Sequence, residues 1–150
     1  MFITTVLTGI DLWCKQKIEE NFHAKEEKAI LKEKVILRKV HNKGMAFNFA
    51  QEHPEKVKVV SGIACGLVGI FSVFIWIKET CPWKKLGASL AFAGAISNTY
   101  DRFVRGHVVD YFSFRSKWKK LARLTFNLGD IFLLLGSLIL TAAELYRNKK

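Results

Sequence analysis

The stretch from Val59 to Ile77 has the sequence VVSGIACGLVGIFSVFIWI, which is 19 residues without a charged side chain. The stretch from Leu124 to Ala143, LTFNLGDIFLLLGSLILTAA, has 20 residues and one charge, at Asp130. Either stretch can cross about 30 Å of hydrocarbon as an α-helix. Two such stretches in a chain of 150 residues predict an integral membrane protein and argue against an ordinary soluble domain.

Two weaker apolar segments raise the number of candidate spans to four. We expect membrane helices at residues 1 to 17, 57 to 78, 85 to 102 and 124 to 146. The first segment lacks the basic residues and the small-residue cleavage site of a secretory signal, so we expect it to be retained. The second and third segments are joined by a short link containing Pro82, which predicts an antiparallel helical hairpin.

Small residues recur at intervals of three and four along both helices of this hairpin. They are Gly62, Gly66 and Gly69 in the first helix and Gly87, Ala91 and Gly94 in the second. We expect these residues to let the two helix backbones approach closely, as membrane helix pairs require.

The two long connections, residues 18 to 56 and 103 to 123, contain the remaining structural signals. In the first, the β-rich stretch from Val35 to Val40 predicts a strand, and a turn at Asn42 to Gly44 predicts a returning strand through residues 45 to 49. In the second, basic and aromatic residues at helical spacing are typical of an amphipathic helix on a membrane surface. A charged loop whose aromatic side chains anchor the interface fits the same composition equally well.

The predicted fold is therefore an all-α integral membrane protein that forms a single domain over residues 1–150. We expect four transmembrane helices, a small β-rich cradle and a surface amphipathic helix.

The chain is strongly basic, with 24 Lys and Arg against 13 Asp and Glu and a formal net charge of +11. Most of this charge lies in the connections, so membrane phospholipid is the expected partner and nucleic acid is not. By the positive-inside rule the two long connections would lie in the cytoplasm. A second group of cations belongs to the opposite face and leaves the orientation open: Lys78, Lys84, Lys85, Arg147, Lys149 and Lys150.

Four aspartates in or beside the apolar segments are the candidates for chemistry, because an ionised group at membrane depth costs about 2.5 kcal/mol or more. Asp11 has Lys15 one helical turn away, and Asp101 has arginines at positions 102 and 105, so both are expected to form structural ion pairs. Asp110 and Asp130 have no adjacent cation. If their carboxyl groups meet, one stays protonated while the other is ionised, and such a pair can activate water.

No other catalytic pattern competes with this pair. The sequence has no G-x-S-x-G, H-E-x-x-H, G-x-G-x-x-G or P-loop motif, and its three cysteines form no C-x-x-C pair. His107 lies near Asp110 in sequence, but a lone histidine at a membrane interface is more often an anchor than a base. We therefore expect a carboxyl pair that uses neither a metal nor a cofactor.

Five short motifs occur in order along the chain. Their patterns are D-x-x-x-K, N-x-G-x-A-F, G-x-x-x-N-x-x-D-R, G-x-V-x-D and F-N-x-A-D, at Asp11–Lys15, Asn42–Phe47, Gly94–Arg102, Gly106–Asp110 and Phe126–Asp130. The last motif is matched with Gly129 in place of the alanine. Each motif is weak by itself, but the five together, in this order and spacing, are highly specific. The sequence resembles the lipoprotein signal peptidase (signal peptidase II) family of membrane aspartic proteases with four transmembrane helices.

The resemblance implies that Asp110 and Asp130 are the catalytic pair. It also implies a set of residues that shape the site or hold the substrate: Asn42, Gly44, Asn98, Arg102 and Asn127. The substrate would be a diacylglyceryl-modified prolipoprotein, cut on the amino side of its lipidated lipobox cysteine.

The resemblance further implies a multi-pass protein of the bacterial cytoplasmic (inner) membrane. Both termini would lie in the cytoplasm, and the β-rich cradle and the active site would face the extracytoplasmic side. This orientation is opposite to the one that the cation distribution slightly favours. We expect the chain to act as a monomer.

The sequence departs from the family pattern at four positions. Gly129 and Leu133 stand where alanine is usual, Ser97 stands where glycine is usual, and Cys14 stands where threonine is usual. These exchanges change packing rather than the carboxylates, so they bear on substrate range more than on activity.

Two other hypotheses stay open on the sequence alone. Tyr100-Asp101 and Leu128-Gly129-Asp130 also resemble the Y-D and G-x-G-D pairs of presenilin-like and prepilin peptidases, in which Asp101 would be the catalytic partner, although those proteins need more spans. The other hypothesis is a non-catalytic membrane protein, a divergent paralogue that binds lipidated polypeptides or couples protons through Asp130.

Overall fold

A computed structural model of the chain describes residues 1–23, 26–44, 50–116, 122 and 124–147. Within these residues the elements are, in order, α1 (Phe2–Asn21), β1 (Glu27–Ile30), β2 (Val35–Asn42), α2 (Pro54–Lys78), α3 (Pro82–Val104), β3 (Val108–Phe114) and α4 (Leu128–Arg147). The mainly helical architecture with a small sheet agrees with the prediction, and α2 and α3 form the predicted hairpin around Pro82.

The three strands form one antiparallel sheet in the order β1-β2-β3. β2 covers the predicted strand, but its neighbours come from stretches that the sequence analysis interpreted differently. β1 lies in the charged stretch before β2, and β3 lies in the first part of the second long connection, ahead of most of the predicted amphipathic helix. The β-branched and aromatic side chains of β3, VVDYFSF, fit a half-buried sheet surface.

Two predicted elements fall on residues outside the described ranges. The returning strand was predicted at residues 45 to 49, and most of the amphipathic helix at residues 117–121 and 123. Phe114, which was assigned to that helix, is instead the last residue of β3.

The central helix is α3, which packs against α1, α2 and α4. It buries small side chains, and Ala88, Ala93 and Ser97 are 0% exposed. Hydroxyl groups of the neighbouring helices donate to its carbonyl oxygens, from Thr8 to Ala93 at 3.2 Å and from Ser72 to Ala88 at 3.3 Å. Such bonds join helices in an environment where lipid is as apolar as the helix surface.

The distribution of apolar side chains is that of a membrane protein. Among the described residues, α2 and α4 are the helices long and apolar enough to cross a membrane, and only 17% and 11% of their most apolar windows are buried. α1 and α3 do not meet the same criterion, which therefore supports two of the four predicted spans. α1 nevertheless buries Asp11 and Lys15 while it exposes Phe2 and Trp13. A polar interior beneath an apolar exterior suits a lipid environment.

The small residues of α3 face α4, whereas the sequence analysis predicted that they face α2. A Cβ atom added to Gly136 of α4 would lie 2.5 Å from the backbone nitrogen of Ala91 and 2.6 Å from the carbonyl oxygen of Gly87. A Cβ atom added to Gly94 would lie 2.2 Å from the carbonyl oxygen of Gly129. The backbones of α3 and α4 are therefore in direct contact.

Aromatic rings fill the space between α2 and α3. A Cβ atom added to Gly62 would lie 3.1 Å from the Phe103 ring, and one added to Gly69 would lie 3.0 Å from the Phe92 ring. Gly66 has no atom within 4 Å of such a Cβ atom. These phenyl rings occupy the position that the prediction gave to a close backbone contact, which is why the hairpin helices are not the tight pair.

Gly136→Ala is expected to destabilise the protein, because the added methyl group meets backbone atoms of α3 that cannot move aside. Overpacking of this kind costs about 1–3 kcal/mol. Gly66→Ala is the matched control, since it adds the same methyl group where no atom lies within 4 Å. Thermal unfolding in detergent should give a lower Tm for Gly136→Ala alone, and equal Tm values for the two variants would contradict the close contact of α3 with α4.

Candidate active site

A buried lysine organises the polar interior. The Nζ atom of Lys15, on α1, lies 2.9 Å from Asp11 Oδ2 and 3.2 Å from Asp101 Oδ2, and all three side chains are 0% exposed. The same ammonium group donates to Ser97 Oγ at 3.0 Å and to Asn98 Oδ1 at 2.9 Å. The predicted ion pair of Asp11 with Lys15 is present, and it extends across to α3.

Both carboxylate oxygens of Asp101 make contacts that hold the structure together. Oδ1 accepts from Arg105 Nη1 at 3.0 Å, and Oδ2 faces Lys15 and also accepts the backbone N–H of Val109 at 3.1 Å. Gly106, with a φ of +77°, makes the turn that brings β3 back to the end of α3. The carboxylate thus fixes the start of β3, which argues against the hypothesis that Asp101 is a catalytic residue.

Asn98 connects the buried lysine to Asp130. Because Lys15 donates to Oδ1 of Asn98, the amide is oriented with its NH₂ group on the opposite side. That NH₂ group donates to Asp130 Oδ1 at 2.9 Å. A flipped amide would place NH₂ against the ammonium group, so Lys15 determines which atom of Asn98 faces Asp130.

Asp130 lies in the first turn of α4, and Asn127 caps that helix. The backbone N–H of Asp130 donates to Asn127 Oδ1 at 2.9 Å, and the N–H of Asn127 donates to Asp130 Oδ2 at 3.1 Å. This reciprocal pair is a capping box in which Asp takes the place of Glu or Gln. The cap starts the helix at Leu128 rather than at the predicted residue 124, so Asp130 lies in the first turn of the helix and not in its interior.

Asp110, on β3, accepts a hydrogen bond on each carboxyl oxygen. Asn127 Nδ2 donates to Oδ1 at 2.7 Å, and Asn42 Nδ2 donates to Oδ2 at 3.1 Å. Asn127 therefore contacts both aspartates. Burial, with a smaller contribution from the negative charge of Asp130, raises the pKa of Asp110 to about 7, although the two amide hydrogen bonds oppose the shift. Burial therefore favours the protonated form of Asp110 near neutral pH more than it would be favoured at an exposed aspartate.

Gly44 and Arg102 extend the polar site beyond the aspartates. Asn42 Oδ1 accepts the N–H of Gly44 at 2.9 Å, which directs the NH₂ group of Asn42 to Asp110. Arg102 Nη2 donates to the carbonyl oxygen of Gly44 at 3.0 Å and so joins this segment to α3. Arg102 Nε is buried without a hydrogen-bond partner among the described residues. A buried donor in that state favours an acceptor from a substrate.

The two aspartates line one cavity of about 570 Å³ between α2, α3 and α4. Three other predicted site residues, Asn42, Asn98 and Arg102, line the same cavity. Its apolar wall includes Ala64, Val68, Ala95, Leu133 and Leu134. Gly44 and Asn127 support this site through the hydrogen bonds above, while Asp11, Lys15 and Asp101 form the buried cluster behind it. A protonated carboxyl beside an ionised one, at the polar end of an apolar cavity, can activate water for hydrolysis.

Tyr111 is a supporting residue that the sequence analysis missed. Its hydroxyl group donates to Asp11 Oδ1 at 3.0 Å and accepts the backbone N–H of Leu128 at 3.1 Å, so it joins α1 to the start of α4. Side chains alternate along a strand, so Tyr111 and Asp110 lie on opposite faces of β3. The β-rich composition of residues 108–114 was the signal that would have predicted this alternation.

Comparison with known proteins finds relatives over nearly the whole chain. A family model described as signal peptidase (SPase) II matches residues 3–146. The lipoprotein signal peptidase of Fusobacterium nucleatum is 27% identical over 150 residues, covering 100% of this chain and 88% of that protein. The lipoprotein signal peptidase of Clostridioides difficile is also 27% identical over 150 residues, covering 100% of this chain and 97% of that protein.

A solved structure has the same fold. A bacterial membrane enzyme structure determined by the in meso method at 2.3 Å resolution matches with a TM-score of 0.85 at 23% sequence identity, covering 99% of this chain and 90% of that chain. This likeness concerns the fold alone, and it includes both the helices and the sheet that position the site.

Lys15→Met is expected to lower the free energy of unfolding by about 3–5 kcal/mol, because it leaves two buried carboxylates without their shared countercharge. Lys17→Met is the matched control on the same helix, since Lys17 is half exposed and its ion pair with Glu20 is a surface contact. Thermal unfolding of both variants in detergent measures the difference. Similar Tm values would show that the buried cluster does not depend on Lys15.

Proposed function

Since the chain belongs to the signal peptidase II family, we propose that it removes signal peptides from prolipoproteins with Asp110 and Asp130 as its catalytic pair. In this proposal the substrate carries a diacylglyceryl group on its lipobox cysteine and is cut on the amino side of that cysteine. The supporting observation is the arrangement of the two carboxyl groups. Each carboxyl group accepts hydrogen bonds from two N–H groups, and both line one cavity that also has an apolar wall.

The hydrolytic step follows from the different states of the two carboxyl groups. Asp130, as the carboxylate, takes a proton from water while the water oxygen attacks the scissile carbonyl carbon, and Asp110 donates its proton to the carbonyl oxygen. The tetrahedral intermediate then collapses. Asp130 passes its proton to the leaving amine, and Asp110 recovers a proton from the hydroxyl group that becomes the new carboxyl group. The pair returns to its initial protonation state, and no metal takes part in the step.

The cavity offers distinct surfaces for the parts of this substrate. We assign the apolar wall from α2 and α4 to the acyl chains, because Ala64, Val68 and Leu134 face the cavity from helices that are exposed to lipid. Arg102, with its buried Nε, is positioned to donate to an oxygen of the peptide or of the glyceryl ester. The sheet beside Asp110 is the surface along which the extended signal peptide would lie. Membrane phospholipid would surround the apolar exterior.

The membrane arrangement in this proposal has α1 to α4 all crossing the bilayer. α1 and α3 have 20 and 23 residues, which suffices for a span, and their charged residues Asp11, Lys15 and Asp101 are turned inward. The catalytic pair then lies near one membrane surface, because Asp130 is in the first turn of α4 and Asp110 is in the sheet. Following the family, we place this end on the extracytoplasmic side of the bacterial inner membrane, against the slight bias of the cations. One chain supplies both carboxyl groups, so it acts as a monomer.

Cleavage of a diacylglyceryl-modified lipobox peptide by the purified protein in detergent tests the catalytic pair. Asp110→Asn and Asp130→Asn are each expected to lower kcat by at least about 10³-fold, because either change removes one half of the proton exchange. Asp101→Asn is the matched control. It should lower Tm, since it removes a charge from the Lys15 cluster, yet retain kcat when the assay is run below its Tm.

The three variants also separate the alternatives. Loss of kcat in Asp101→Asn with full activity in Asp110→Asn would favour the presenilin-like pairing. Binding of the lipidated peptide without cleavage by the unmodified protein would favour the non-catalytic hypothesis. Circular dichroism of every variant shows whether a lost activity reflects lost folding.

The pH dependence of kcat/KM is expected to report the proton on Asp110. The mechanism uses the protonated form, so kcat/KM should fall as the pH rises through the upper apparent pKa of the pair, near 7. Asn42→Ala removes a hydrogen bond that stabilises the ionised form of Asp110, so the falling limb of the pH profile should move to higher pH. Asn21→Ala is the control, because its amide lies on α1 and donates to the backbone of Lys17. A limb that stays in place in Asn42→Ala would contradict the assignment of the proton to Asp110.

A further inference from the structure

Two histidines and a glutamate meet outside the catalytic cavity. Glu19 lies near the end of α1, His41 in β2, and His107 in the link between α3 and β3. His41 Nε2 is 2.6 Å from Glu19 Oε1, and His107 Nε2 is 3.6 Å from the same oxygen. His107 therefore contacts this cluster rather than Asp110, the residue beside which the sequence placed it.

The cluster has the geometry of a metal site. The centroids of the two imidazole rings lie 3.9 Å apart with the ring planes tilted by 34°, and one ligand atom from each of the three residues lies within 4.8 Å of the others. Ligand atoms at about 2.1 Å from a tetrahedral Zn²⁺ ion lie about 3.4 Å from one another. The separations of the two ring nitrogens from Glu19 Oε1, 2.6 and 3.6 Å, bracket that value.

We propose that Glu19, His41 and His107 bind a Zn²⁺ ion. Two imidazole nitrogens and one carboxylate oxygen are a ligand set that zinc uses, and the fourth position is left for water. The nearby cation, Lys39, lies 3.7 Å from Glu19 Oε2, which is the other carboxylate oxygen. Oε1, on which the two rings converge, is therefore the atom available to the ion.

The site is accessible from solution and separate from the catalytic pair. The side chains of His41, His107 and Glu19 are 44%, 20% and 24% exposed. The three do not line the catalytic cavity as the structure describes it. The ion would tie α1, β2 and the α3–β3 link together at a point where His41 directly precedes Asn42, which donates to Asp110. Zinc is thus a structural clamp next to the site and not a reactant in it.

Zinc titration of the full chain, purified in detergent without a histidine tag, tests this proposal. Competition with a chromogenic zinc indicator should show one Zn²⁺ ion bound per chain. His41→Ala, His107→Ala and Glu19→Gln should each weaken binding by about 100-fold or more, since even the loss of a residue that supports a ligand costs about 10- to 100-fold. His23→Ala and His53→Ala are the matched controls and should leave zinc affinity unchanged. Zinc should also raise the Tm of the unmodified protein and leave that of His41→Ala unchanged.

A second measurement uses the unmodified chain and so does not depend on how the variants fold. Diethylpyrocarbonate labels accessible histidines, and mass spectrometry locates the label. Zinc should protect His41 and His107 and leave His23 and His53 reactive. Absence of zinc binding, equal protection of all four histidines, or unchanged affinity in folded His41→Ala would each overturn the proposal. None of these results depends on substrate cleavage, so the catalytic proposal stands or fails separately.

Discussion

The buried positive charge of Lys15 constrains the polar interior of this protein. The ammonium group of Lys15 has no exposure to solvent, so its charge must be compensated by protein groups, and Asp11, Asp101, Ser97 and Asn98 supply them. These partners lie on α1 and α3, so the ammonium group joins the two helices, and its removal would leave buried carboxylates without their countercharge. The same ammonium group orients the amide of Asn98 and thereby selects the donor that Asp130 receives. The packing of α1 against α3 and the orientation of the amide that faces Asp130 therefore both depend on one side chain.

The second constraint is the start of α4. An aspartate in the middle of a membrane helix would be costly, but Asp130 lies in the first turn, where the unpaired N–H groups and the helix dipole stabilise a negative charge. Asn127 provides the cap, and its side-chain NH₂ group, which the cap leaves free, donates to Asp110. Asn127 thus caps α4 at its first turn and contacts both carboxyl groups. The cap explains how a carboxyl group is held near Asp110 at the start of an apolar helix.

Local patterns in the sequence predicted the features that depend on neighbouring residues. The uncharged run from Val59 to Ile77 became α2, Pro82 began α3, and the spacing of Asp11 and Lys15 gave the observed ion pair. The lack of an adjacent cation singled out Asp110 and Asp130.

Features that depend on distant residues were missed. β3, for example, is a strand only because it pairs with β2, as Val35 does with Phe114. The direction of the small residues on α3 was missed for the same reason, since Phe92 and Phe103 occupy the space towards α2. The Glu19, His41 and His107 cluster likewise joins three separate parts of the chain.

Two of the departures from the family pattern are explained by their common neighbour, Asp11. The Oγ atom of Ser97, which stands where glycine is usual, donates to Asp11 Oδ2 at 2.6 Å. A Cβ atom at Gly129, where alanine is usual, would lie 2.9 Å from that same oxygen and 2.9 Å from Asn127 Oδ1. The hydroxyl group on α3 holds Asp11 in the position that a methyl group on α4 would need, so the two exchanges compensate each other in volume.

Leu133 is accommodated in a similar way, because its Cγ atom would lie 2.9 Å from a Cβ atom at Gly94 and the glycine leaves that space open. The departures thus repack the support behind the carboxyl pair while the four hydrogen bonds to the pair are kept.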